Sequence, residues 1–159
     1  MSDWSEQHAK RFLRKQEEDR KKAEKDAEAA ITRDKKFVRE QEILQKRSPD
    51  MWSDLCDLFA VECKDFNSAV RQDVVSCKQT SANILEISRI GEKLNVTLSF
   101  DPQTNSIKIH SLYDGLGDVK RLDIKIESET SDPRFWDDAG RLVPDPAAIV
   151  QRIIEQITS

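Results

Sequence analysis

The heptapeptide Leu94-Asn95-Val96-Thr97-Leu98-Ser99-Phe100 alternates apolar and polar residues without a break. That is the period of a strand with one buried and one wetted face. Working outward, Ile107 and Ile109 alternate with Lys108 and His110, and Leu122, Ile124 and Ile126 alternate with Asp123, Lys125 and Glu127. A less regular run, Ile84, Leu85, Ile87 and Ile90, precedes them. Turn chemistry separates the runs at Gly91-Glu92, at Asp101-Pro102-Gln103-Thr104-Asn105 and at Asp114-Gly115-Leu116-Gly117-Asp118. The pattern predicts a four-stranded antiparallel meander. Val74-Val75-Ser76-Cys77, just ahead of it, suits either a last helical turn or a short strand.

A sheet with one apolar face needs a layer on that face. Trp52, Leu55, Cys56, Phe59, Cys63, Phe66 and Val70 recur at helical spacing, which predicts an amphipathic helix over 49–72. Asp145-Pro146 opens a second helix with Ile149, Val150, Ile153, Ile154 and Ile157 on one face. Its β-branched residues make packing, not propensity, the force that holds it. Between sheet and helix, Phe135 and Trp136 are expected over an edge of the core, followed by a small turn at 138–140. The predicted fold class is α+β: a long N-terminal helix, then a two-layer body in which two helices cover one face of the four-stranded sheet.

The first 50 residues differ in kind. They hold 14 Lys/Arg and 12 Asp/Glu, no Gly, and Pro49 as their only proline. Ala, Glu, Lys, Arg and Gln dominate, and Glu17/Lys21, Glu18/Lys22 and Glu42/Lys46 are i,i+4 pairs of the stabilising order. These residues predict one helix over 3–47, roughly 65 Å long. The remaining ~110 residues would form a globule of radius of gyration ~13 Å. Such a helix must project, lie across a partner or bend. Ser48-Pro49-Asp50 predicts a break and a restart, because the residue before Pro is pushed out of the helical region and Ser, Pro and Asp suit a helix start. The expected domains are therefore a charged helix over 1–48 and an α+β domain over 49–159.

Seam residues of the long helix at steps of three and four are polar near Gln16 and Arg20, and become apolar toward Ala23, Ala27, Ala30, Phe37 and Leu44, widened by Ile31 and Val38. The stretch 23–44 is expected to pack against a second copy or a partner, and 10–22 to be solvated. Homo-oligomerisation is the expected state.

Groups for catalysis are few. His8 lies on the charged helix and His110 on the predicted wet sheet face, and no His-x-x-x-His, Cys-x-x-Cys, phosphate-loop or dinucleotide-loop spacing occurs. Cys56 and Cys63 fall on the core stripe, and three cysteines with no paired spacing predict reduced thiols. Asp137-Asp138, and Asp114 with Asp118, could hold a hard cation, yet both groups flank glycines where turn formation explains them. No catalytic residue, cofactor or metal is assigned. Thr97, Ser99, Lys108, His110 and Lys125 form a polar sheet-face surface suited to protein recognition. Lys10–Lys25 carries basic clusters able to follow phosphates, but acidic residues lie between them and the chain has a net charge of −4, so nucleic acid is the weaker partner.

The opening Met1-Ser2-Asp3-Trp4-Ser5-Glu6 lacks the pattern of a secretory signal, and no apolar run approaches the ~20 residues that span a bilayer. A cytoplasmic location is expected. These features predict a non-enzymatic interaction or adaptor module, with a nucleic-acid-associated protein and a ligand- or metal-binding domain using the Asp-rich loops as alternatives.

Overall fold

The computed structural model describes residues 2–92, 95–111, 120–127 and 132–159. Leu94 and the Asp114–Asp118 turn lie outside them. The elements run α1 (Asp3–Val70), β1 (Val75–Ser81), β2 (Ile84–Arg89), β3 (Asn95–Asp101), β4 (Ser106–Ser111), β5 (Arg121–Lys125), β6 (Arg134–Trp136) and α2 (Pro146–Thr158). The chain divides into two compact units, 1–40 and 41–159. In the first, residues 3–40 are helical and none of the described side chains is buried.

The second unit is a six-stranded sheet in the order β1-β2-β3-β4-β5-β6, antiparallel throughout. The class is α+β, as the period of two required, but the strand count is six where four were expected. β1 settles the Val74–Cys77 stretch as strand. Beyond Cys77 it carries Lys78, Gln79, Thr80 and Ser81, all exposed, so its own pattern gives no period to read. β6 has three residues, Arg134-Phe135-Trp136, too short to display any period. Its placement comes from pairing, with Ile124 opposite Phe135.

Register keeps the apolar residues on one face. Leu85 pairs with Leu98, Leu98 with Ile109, and Ile107 with Leu122. All of these are buried, in one cluster with Leu44, Trp52, Leu55 and Phe59 of α1 and Ile149, Val150, Ile153, Ile154 and Ile157 of α2. Trp52 stacks on Phe100 with ring centroids 5.8 Å apart, and its indole N–H donates to the Ala82 carbonyl at 2.8 Å. One side chain thus fixes α1 to both the β1–β2 turn and β3.

The break expected at Ser48-Pro49-Asp50 is absent, and α1 continues through Pro49. The missing proline N–H removes one helical bond. Against that loss, Leu44, Ser48, Trp52, Leu55 and Phe59 recur at steps of four and three on one buried face, while Pro49 itself is exposed. Core packing on both sides of the proline holds the helix where the local rule would end it.

α1 ends with Arg71 in the left-handed region (φ 57), and the Gln72 N–H reaches back to the Asn67 carbonyl at 3.1 Å. This is the bonding of a helix C-terminal cap that ordinarily uses glycine. The Asn67 amide then joins the helix end to the first strand. Its oxygen accepts from the Val74 and Val75 N–H groups at 2.9 and 3.0 Å, and its nitrogen donates to the Val75 carbonyl at 2.9 Å.

Two stability measurements follow. Asn67→Ala removes three bonds at a half-buried junction and is expected to lower the unfolding free energy by about 2–3 kcal/mol in urea titration; a loss under ~0.5 kcal/mol would show that the junction holds without it. Ser48 is fully buried with a hydroxyl that lacks a partner. Ser48→Ala is expected to stabilise the fold by about 1 kcal/mol, and destabilisation would contradict that account.

Candidate functional site

Three surfaces carry chemistry worth weighing. The first is the outer face of the sheet. Thr97 pairs with His110 and Ser99 with Lys108, so four of the five residues expected there are direct cross-strand neighbours on β3 and β4. Glu86 continues the Thr97 row onto β2, and Arg121 continues the Ser99 row onto β5. Lys125 lies farther along β5, opposite Arg134, and reaches Asp123 at 3.9 Å. Asp123 is held mainly by Arg121, at 2.8 Å. The face is mixed in charge.

The second surface surrounds the cysteines. Cys56, Cys63 and Cys77 are all free thiols. Burial pushes the Cys56 thiol up to about 12, with Cys77 and Asp57 nearby adding to the rise. The Cys63 thiol donates to the Cys77 sulfur. That bond, then burial, holds the Cys63 proton on, and the same bond draws the Cys77 pKa below its ordinary value. Cys63 and Cys77 border an open polar depression of about 570 Å³ that also includes Lys64, Asn67 and Arg71. Asn67, however, is committed to the β1 backbone.

A smaller apolar cleft of about 210 Å³ lies against α2, among Ile109, Leu142, Val143, Ile149 and Ile153, with Asp137 and Arg152 in its walls. It is smaller than the roughly 300–1,000 Å³ of sites that enclose a drug-sized ligand. Asp137 organises a turn there. Its carboxylate accepts from the Ala139 and Arg141 N–H groups at 3.0 and 2.9 Å and meets the Arg141 guanidinium at 3.2 Å. The Arg141 backbone bond leads in holding the Asp137 carboxyl below the usual carboxylate range. Asp138 accepts from the Lys120 N–H at 3.3 Å. Among the described residues, no three His, Cys, Asp or Glu side chains are placed to hold a metal ion.

The third surface is the helix of the first unit. Phe12, Leu13, Ile31, Phe37 and Val38 are large, apolar and 52–62% exposed. At 3.6 residues per turn they share an arc about a third of the circumference wide with Ala23, Ala27 and Ala30. Leu44, expected on the same seam, lies instead in the core of the second unit, 7% exposed. The exposed apolar seam therefore runs from Phe12 to Val38. Helical spacing aligns Phe12 and Leu13 with Phe37 and Val38. Trp4, at the start of the same helix, stacks on His8 at 5.1 Å. The cations Arg14, Lys21 and Lys36 pair with Glu18, Glu17 and Glu40 at 3.4, 3.7 and 4.0 Å.

The thiol geometry is checkable by alkylation. Half-buried Cys77, with its lowered pKa, is expected to take up iodoacetamide first at pH ~8, with Cys56 and Cys63 following only on unfolding; peptide mass mapping that found Cys63 labelled as early as Cys77 would refute the assignment. Among the described residues, no helix is long and apolar enough to cross a membrane. No protein-family model, no curated protein and no solved structure matches the chain.

Proposed function

We propose that this chain is a non-enzymatic protein–protein interaction module of the cytoplasm, whose N-terminal helix docks through its exposed apolar stripe onto a second helix, from another copy or from a partner. The observation that carries the reading is the exposure of Phe12, Leu13, Ile31, Phe37 and Val38 on one arc of a unit in which none of the described side chains is buried. Isolated helices gain little from propensity alone, and most helical stability comes from packing an amphipathic face. Full burial of each such side chain is worth about 1.5–3 kcal/mol. A partner helix supplies what the unit lacks. The free thiols agree with a reducing compartment. The polar face built on Thr97, Ser99, Lys108 and His110 offers a second contact surface, flat and mixed in charge as protein-recognition rims are.

A second reading has one observation in its favour. Arg11, Arg14, Lys21, Lys25, Lys35 and Lys36 fall on the arc opposite the stripe, where they could follow a phosphate backbone. Three of these six are paired to neighbouring glutamates, which weakens the case. Filter retention of duplex DNA at low salt, lost steeply as salt rises, would favour this nucleic-acid reading.

Phe37→Asp tests the main proposal. The substitution lies on an exposed helical position, so circular dichroism should show the second unit unchanged. Sedimentation velocity and cross-linking in extract are expected to show an association by the wild-type chain that the variant loses about tenfold or more. Identical behaviour of the two proteins would remove the basis for the reading.

A further inference from the structure

We infer that the occupant of the stripe is a second copy of this chain, lying antiparallel, with the two-fold axis level with residue 25, whose side chain faces away from the seam. The inference rests on the interaction reading above and adds the partner and its direction. The stripe is nearly a palindrome. The pairs Phe12/Val38, Leu13/Phe37, Gln16/Asp34 and Ala23/Ala27 are each symmetric about residue 25. Reversing one copy on the other sets the bulky end of each stripe on the bulky end of its mate and Ala23 on Ala27, while Ala30 falls level with Arg20 and Ile31 with Asp19. Small residues at the centre let two helix axes approach to about 8 Å.

Charge chooses between the two directions. A parallel, in-register pair would press Arg20 on Arg20 and Asp34 on Asp34 within the seam, since both positions lie on the stripe itself. The antiparallel pair places Arg20 four residues, about 6 Å along the axis, from Asp34 of the second copy. It also brings Asp19 within two residues of Arg33 on the flank. In one chain alone, Arg20 pairs with its own Glu24, at 3.3 Å, both side chains being largely exposed. The arrangement has one unfavourable meeting: Glu24 and Asp26 each approach their own counterparts near the axis. Neutralising Glu24 should therefore tighten the pair, while neutralising Arg20 should loosen it.

The pair Gln16/Asp34 provides the direct test, because neither residue supplies apolar contact. Gln16→Cys and Asp34→Cys are made as separate variants and oxidised with copper–phenanthroline, singly and as an equimolar mixture, beside wild-type chain as control for the three native thiols. In the antiparallel pair positions 16 and 34 are neighbours, whereas in a parallel pair they stand about 27 Å apart, beyond any disulfide. The mixture is expected to give a disulfide-linked dimer on non-reducing gels, and each variant alone no more than wild type. Sedimentation equilibrium is expected to show a dimer that Glu24→Gln tightens about threefold and Arg20→Ala weakens about tenfold. Cross-linking of either variant with itself as fast as in the mixture overturns the antiparallel register. A wild-type chain that stays monomeric at concentrations on the order of 100 µM overturns the second copy as occupant. If that monomer still binds another protein in a Phe37-dependent manner, the interaction reading stands without this inference; if it binds nothing that Phe37→Asp disrupts, both fall.

Discussion

A one-sided sheet imposes the constraint that organises the second unit. The deeply buried apolar strand residues, from Val75 through Leu98 and Ile109 to Phe135, project to the same side, and a slip of one residue would turn the whole set to water. The cover comes from two places far apart in sequence, residues 44–63 of α1 and the isoleucine face of α2. Trp52 shows how the cover is located. It fills space against Phe100 and uses its one polar atom on the Ala82 carbonyl, so the ring is both wedge and latch. Asn67 performs the equivalent task at the helix end, where the chain must turn and start pairing at once. Because α1 serves as half of this roof, it must remain helical through Pro49, and the local preference for a break gives way to the burial of Leu44, Ser48 and Trp52.

The parts of the fold legible in the sequence were those with enough residues to display a period. Asn95–Asp101 needed only its alternation, and the faces of 49–70 and 146–158 needed only their three–four spacing. β1 and β6 were obscure for opposite reasons. β1 is an edge strand whose outer half is polar, so nothing in its composition distinguishes it from loop, and β6 is shorter than one full alternation. Leu44 was legible as apolar but not as core. Its link to the core stripe passes through Ser48, a small polar residue that ordinarily marks a cap, and only the four-residue steps 44, 48 and 52 betray the connection.

The chemistry of the molecule is consistent in what it spends its reactive groups on. His8 stacks on Trp4, Asp137 closes a turn, Asn67 ties backbone, and Cys63 shares its proton with Cys77. Each is occupied by the architecture. Apart from these, the molecule presents a wetted sheet face, an exposed helical stripe and the open depression bordered by Cys63 and Cys77. The polar face was legible residue by residue, because alternation puts Thr97, Ser99, Lys108 and His110 outward by arithmetic. Their adjacency across β3 and β4 required the register.

The sequential strand order has a kinetic corollary. Each strand pairs with the one made just before it, so the sheet assembles through short loop closures that carry little entropic penalty. The slow event is then expected to be the arrival of the two helical covers, since they alone require distant parts of the chain to meet. Until that happens the half-built meander would present a bare greasy plane, and the interval before it is roofed is when the nascent protein would be most prone to clump.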